Sequence, residues 1–189
     1  RVDFETRKDW ASLQTGGAVD SFDGPDLTPF GCGPEGAIDL SQGRIWGSTT
    51  GDDDGTPTNT MTPKHLVVKL ARPVDIGTGS GGDSAFKVDP TAGCGDAGSA
   101  STGDFTIEVS PNGTTWTTVV DVNGEANWLG RFQYTNVAAS QAVAGVQYVR
   151  LTLNSPQVPD FATNCPDGAF AGCQFTDFTE LEVFGSTTP

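Results

Sequence analysis

The feature that most constrains this chain is an alternation of apolar and polar side chains with a period of two. It lets one face of an extended segment be buried while the other stays in water. In 104–110 (DFTIEVS), Phe105, Ile107 and Val109 share a face, and in 147–153 (QYVRLTL) Val149, Leu151 and Leu153 do so. In 178–184 (FTELEVF), Leu181 and Val183 point one way and Glu180 and Glu182 the other, so Glu180 is expected on the face away from the core and not buried unpaired. The segments 65–70 (HLVVKL), 116–122 (WTTVVDV) and 130–137 (GRFQYTNV) are further strand candidates. In SPNGTTW, Asn112-Gly113 is the favoured pair for a two-residue hairpin, in which both central residues take positive φ. Helical periodicity of comparable length is absent, and a short helix is expected only around 5–13.

Strands this short, with Gly- and Pro-rich turns between them, predict an all-β sandwich or barrel. The chain has 25 Gly and 12 Pro, and its hydrophobic share is 35%, yet 11 Phe, 4 Trp and 2 Tyr are enough to build a core. Three loops, 47–63, 89–103 and 154–173, lack periodicity, and loops of this length are uncommon unless they are functional or pinned. Two of the three carry cysteines. No linker or internal repeat divides 1–189, which reads as one domain: a core over 30–185, an N-terminal strand or loop extension over 1–29, and the start of a linker over 186–189. That tail suggests a piece of a larger multidomain chain.

The four cysteines, Cys32, Cys94, Cys165 and Cys173, form no C-x-x-C, and with His65 as the single histidine no Cys/His zinc pattern can be assembled. Four cysteines allow three pairings; the short NCPDGAFAGC loop favours Cys165–Cys173, which leaves Cys32–Cys94. An even count in a Gly-rich acidic chain points to disulfides and an oxidising, extracellular compartment. The formal net charge of −14 excludes a basic stripe of the kind nucleic acid needs. No apolar run is long enough to span a membrane, and phospholipid binding is disfavoured at this charge.

Catalysis needs a positioned base, a nucleophile or a metal. His65 opens a strand, and the nucleophile elbow, the HExxH zinc motif, the P-loop and the dinucleotide fingerprint are all missing from the sequence. Paired carboxylates alone would leave a glycosidase open, but a small sandwich rarely has room for the cleft, so no enzyme is expected. Asp52-Asp53-Asp54-Gly55 is a run of hard oxygen donors without the closing Glu of an EF-hand, and reads first as a solvated turn. Asp54 nevertheless counts among the candidate ligand-binding side chains.

Taken in order, five motifs are similar to those of discoidin domains, also called coagulation-factor type C domains, of the galactose-binding-like superfamily. AIDLSQGRIW (37–46), with Trp46 seven residues after Asp39, resembles the family's A-x-D-G-x-x-x-T-x-W signature. HLVVKLARPVDI (65–76) looks like its first core strand, FTIEVSPNGTTW (105–116) its hairpin, VQYVRLTLNS (146–155) its Y-V-R-L strand and FTELEVFG (178–185) its closing strand. The resemblance implies an antiparallel jelly roll of about eight strands with ligand loops at one end, as in copies appended to secreted bacterial peptidases and glycoside hydrolases. It also implies a structural calcium held by the first loop and the glutamate of the last strand. Mapped by position, Asp39 and Glu180 would give carboxylates, and Ser41 and Arg44 oxygens. Two positions depart from the signature: Leu40 stands for Gly, and Arg44 for Thr, so that only the Arg44 carbonyl remains.

Trp46 and Trp116 occupy the family's packing positions, while Trp10 and Trp128 do not. Trp128 with Arg131 nearby in NWLGR would offer a sugar ring apolar stacking and a polar fork. The function expected is carbohydrate binding by a non-catalytic module of a secreted enzyme. The alternatives are adhesion to an extracellular protein and a structural appendage.

Overall fold

The structure, a computed structural model, describes residues 7–51, 56–123, 134–158, 161, 163 and 170–187. Its strands are β1 (Ala18–Phe22), β2 (Trp46–Thr49), β3 (Lys64–Ile76), β4 (Phe86–Asp89), β5 (Phe105–Ser110), β6 (Thr117–Val122), β7 (Thr135–Val137), β8 (Val143–Leu153), β9 (Phe175–Phe178) and β10 (Glu180–Val183). Among the described residues the helical elements are 3-10 turns alone. The chain is all-β and its strand pairs are antiparallel.

The alternating segments build the larger sheet, in the order β1-β3-β8-β5-β6. Leu66 and Ile107 both pair with Leu151, so three strands present their apolar residues in one row. The opposite wall consists of a three-stranded sheet, β10-β4-β7, and a two-stranded one, β2-β9. Phe178 of β9 meets Phe105 of β5 edge to face, with ring centroids 5.7 Å apart, and closes the interior between the walls. Trp46, Phe86, Leu181 and Val183 fill the rest from that side. Burial of this kind supplies about 25 cal/mol per Å² of apolar surface.

Four expectations need correction. The connection from β5 to β6 is wider than a two-residue hairpin, since Val109 pairs with Thr117. Gly113 takes φ 75° while Asn112 keeps an ordinary φ, because its Oδ1 instead accepts from the Thr114 and Thr115 N–H groups. No helix covers the described part of 5–13; a 3-10 turn forms at Leu13–Thr15, capped by the Ser12 side chain. The segment 178–184 is not one strand. Thr179 interrupts it, sending its N–H to the Asp89 carbonyl and its hydroxyl to the Thr91 carbonyl, which passes the chain from one small sheet to the other.

The last correction concerns Glu180, which is buried at 1% exposure. Alternation holds, with Leu181 and Val183 in the core, but the other face of β10 is also covered. A strap over 7–17 lies along it, with the Trp10 N–H on the Val183 carbonyl and Asp9 Oδ1 accepting from the Val183 N–H. The 3-10 turn Pro34–Ile38 packs there as well.

β2, β4 and β10 are buried on both faces, so they show no solvent face to read in the sequence. The loop expected over 47–63 therefore begins as a strand. β1 makes part of the expected N-terminal extension an edge strand of the main sheet.

Because Phe178 joins the two walls, Phe178→Ala is expected to lower stability by about 3–5 kcal/mol. Denaturant unfolding measures this, and a loss below about 1 kcal/mol would show that the walls are not packed through this ring.

Candidate functional site

The fold gathers functional groups in two places. At the first, the loop after Ile38 meets β10. Asp39 Oδ1 accepts from the Ser41 N–H at 2.8 Å, and Ser41 Oγ accepts from the Gly43 N–H at 3.1 Å. Leu40 between them adopts φ 60°, the left-handed backbone that Gly favours. The departure from the family's Gly thus keeps the Gly geometry, at a strain of order 1 kcal/mol.

Neither carboxylate oxygen of Glu180 has a hydrogen-bond partner; the Leu40 and Ser41 N–H groups lean on it without reaching bonding geometry. Burial pushes its pKa up to about 10, helped by the negative charges of Asp9 and Asp39. Asp9 was missed in the sequence, where nothing marks residue 9 as a neighbour of residue 180. Its Oδ1 accepts from Ala11 and Val183 N–H groups and its Oδ2 is buried without a partner. Burial lifts Asp9 to about 6 against those bonds. Asp39 is raised by burial too, opposed by the Ser41 N–H and by the Arg44 charge.

The first loop and last strand do come together as expected. Among the described residues, no three His, Cys, Asp or Glu side chains converge tightly enough to hold an ion by themselves. Backbone oxygens would have to complete a shell. The donor set is all oxygen, and Glu180 has two buried oxygens without partners in the field of two further carboxylates. That chemistry fits a hard divalent cation.

The second place is the end where the cysteine loops gather. The Cys32–Cys94 disulfide ties the turn Thr28–Phe30 to the loop over 90–103, with a Cα separation of 5.9 Å. Cys173 is also disulfide-bonded, and its expected partner Cys165 lies outside the described residues. Phe30 is 77% exposed and Phe170 56% exposed, although both are large and apolar. Phe170 sits at φ 61° with its ring stacked on Phe175, centroids 6.0 Å apart. Residues 94–97 reach the backbone carbonyls of both Phe30 and Phe170. The Cys94 sulfur is 4.0 Å from the Phe30 carbonyl, and the Ala97 N–H donates to the Phe170 carbonyl at 2.7 Å.

Sequence reasoning missed Phe30 and Phe170, because an exposed phenylalanine in a loop carries no periodicity. Trp128, Arg131 and Asp54 lie outside the described residues. Trp46 is a core residue, fully buried. Trp116 is not: it is half-buried, with the Arg150 guanidinium 4.4 Å above its ring. Trp10 donates from Nε1 to the Gly185 carbonyl and walls a cleft of about 530 Å³ with Arg7, Lys8 and Phe184.

No protein-family model matches the sequence, and no curated protein matches it. Solved structures do. Module CBM32-3 from a family 31 glycoside hydrolase of Clostridium perfringens aligns with a TM-score of 0.61 and 18% identity, over 96% of this chain and 96% of that one. The F5/8 type C domain of a Bacteroides fragilis protein aligns with a TM-score of 0.53 and 16% identity, over 93% and 95%. The fold is that of a type C domain. A further CBM32 module from Clostridium perfringens, solved in complex with GalNAc-β-1,3-galactose, shares this type C fold with a TM-score of 0.51 and 16% identity, over 89% and 94%.

Asp9 and Glu180 titrate above their ordinary values in the folded chain, so their protonated forms favour folding. Without a cation, that contribution is complete below about pH 4 and is lost as pH rises through about 6 at Asp9 and about 10 at Glu180. Thermal melts in chelator are expected to show the melting temperature falling along this range. Glu180→Gln should flatten the alkaline part; an alkaline fall that survives in that variant would acquit Glu180.

Proposed function

We propose that this domain is a non-catalytic carbohydrate-binding module of a secreted protein, which tethers a larger enzyme to a polysaccharide or glycan. The observation that carries the reading is the pair of exposed rings, Phe30 and Phe170, held at the disulfide-bonded loop end of a type C fold. Sugar rings present C–H faces that stack on aromatic rings, while their hydroxyls need polar partners at the edge. The turn over 94–97 supplies backbone groups and the half-buried Asp96 for that edge. Trp128, Arg131 and Asp54, which lie outside the described residues, are proposed to contribute to sugar binding as well. One shallow site of this kind gives affinities of about micromolar to millimolar Kd, so tethering acts by raising local concentration. Resemblance to modules of bacterial hydrolases supports an extracellular setting, and among the described residues no helix is long and apolar enough to cross a membrane.

The same reading includes a structural calcium between the first loop and the last strand, held by the Asp39 and Glu180 carboxylates with the Ser41 and Arg44 carbonyls. When bound it would supply the positive charge that offsets the mutual repulsion of these buried acids. Asp9 adds a third negative charge from the strap.

Two outcomes are expected. On a glycan array, Phe30→Ala and Phe170→Ala each lower retention roughly tenfold with an unchanged melting temperature, and Trp128→Ala does so as well. Retention equal to the unaltered domain in all three would sink the assignment of the face. Separately, chelation with EDTA lowers the melting temperature of the domain and leaves Glu180→Gln unaffected; identical melts with and without EDTA would remove the calcium.

A further inference from the structure

The strap over 7–17 holds Trp10 by three hydrogen bonds. Its N–H donates to the Val183 carbonyl at 2.8 Å, its carbonyl accepts from the Ala71 N–H at 3.0 Å, and its Nε1 donates to the Gly185 carbonyl at 3.0 Å. The Ala71 bond brings the exposed Arg72 alongside, so that two cations share one indole. Lys8 Nζ lies 4.5 Å from the centre of the Trp10 ring and the Arg72 guanidinium 5.8 Å. In the same cleft the Arg7 guanidinium lies 3.9 Å from the centre of the Phe184 ring and donates to the Ser84 carbonyl at 2.5 Å.

Three of the 10 basic side chains, in a chain with 24 acidic ones, thus stand around this cleft and its Trp10 wall. Like charges gathered on one surface repel, and among the described residues neither Lys8 nor Arg72 has an ion-pair partner. A ring face offsets only part of that repulsion at an exposed site; an anion between the two cations would offset the rest. The cleft of about 530 Å³ has the size of a small-ligand site. It is not uniformly basic. Asp75, whose Oδ1 accepts from the Gly145 N–H at 2.8 Å, and the exposed Asp83, in the 3-10 turn Gly81–Asp83, also line it. These acids repel a dense polyanion, yet they accept hydrogen bonds from hydroxyls. A ligand suited to both signs carries a carboxylate and several hydroxyls on one small ring.

We propose that this cleft is a second saccharide site, which takes a uronate residue of an acidic oligosaccharide. The Arg72 guanidinium offers its planar fork to the uronate carboxylate, and Lys8 adds a point charge beside it. Trp10 is the fixed post on which both cations rest, so little ordering is left for the ligand to impose. Asp83 and Asp75 accept from the ring hydroxyls, and Arg7, anchored on Phe184 and Ser84, adds positive charge from the wall. The cleft shares no lining residue with the Phe30 and Phe170 face. That the carboxylate belongs to a sugar rests on the function proposed above; that the cleft takes a carboxylate does not.

The test titrates the disulfide-intact domain with short oligomers of glucuronate, galacturonate and mannuronate, each beside its carboxyl-reduced neutral form, while NMR follows the Trp10 Nε1–H signal. At least one oligouronate should move that signal, and its neutral form should bind roughly tenfold more weakly or worse. The affinity should fall as salt is added. Lys8→Ala and Arg72→Ala should each weaken binding roughly fivefold with an unchanged melting temperature, and Arg72→Lys, which loses the fork, should not restore it. Phe30→Ala combined with Phe170→Ala should leave this binding as it was. Equal affinity for an oligouronate and its neutral form would overturn the proposal, as would undiminished binding in the Lys8→Ala, Arg72→Ala double variant. A polyaspartate peptide that moves the Trp10 signal at lower concentration than any oligouronate would assign the cleft to acidic polypeptide and overturn it too. Neutral glycans held at Phe30 and Phe170, with no oligouronate at Trp10, would sink the cleft and leave the function proposed above standing. Oligouronate at Trp10, with the two Phe substitutions without effect on any glycan, would uphold the cleft and remove the aromatic face.

Discussion

The segment from Phe175 to Val183 is covered on both of its faces, and most of the molecule is arranged around that constraint. On one side Phe178, Leu181 and Val183 complete the interior against the large sheet. Successive side chains on a strand point to opposite faces, so the residues between them, Asp177, Glu180 and Glu182, are directed outward. There they meet the strap, the first loop and the cysteine-bearing loop instead of water. Asp177, Glu180 and Glu182 are thus all buried within 177–182, in a place where an ionised carboxylate is very costly unless it is compensated.

Each acid is compensated differently, and the differences define the chemistry of the domain. Glu182 lies directly across from Lys87 in the β10–β4 pair, and both are buried. Glu180 faces Asp9 and Asp39, and among the described residues no cation acts on it, an arrangement suited to a proton or to a bound divalent ion. Asp177 faces Asp96. A protein with 24 acidic and 10 basic side chains has few cations to place inside, and of these three buried acids only Glu182 lies opposite a buried lysine.

The loop end owes its shape to crosslinks and backbone strain more than to packing. Among the described residues, two of the three non-glycine residues at positive φ, Cys94 and Phe170, lie there, and the third, Leu40, lies in the first loop. Such backbones persist only where the surroundings over-determine them. Here the disulfide, the Ala97–Phe170 hydrogen bond and the stacking of Phe170 on Phe175 do so. The result is a pair of rings fixed in the open, which spares a ligand the entropy of ordering them.

Alternation in the sequence was sufficient for β3, β5, β6 and β8, because each of these has one face in the core and one available to water, and it also marked the apolar face of β10, whose other face is covered. The ordered motifs placed the first loop beside Glu180, and the short loop that favoured Cys165–Cys173 left Cys32–Cys94, the disulfide observed. It was not sufficient for β2, β4 and β9, whose faces are largely both buried, or for the Asn112 turn, where a side-chain oxygen took over the backbone's bonds.

What the sequence determined alone is which residues face each other within a strand's period. Only the tertiary structure decided what lies over the second face, because the strap at residue 9, the loop at residue 96 and the strand at 177–180 are brought together by long-range packing. No local preference encodes that meeting. The burial of Glu180 and Asp177, and the exposure of Phe30 and Phe170, follow from it.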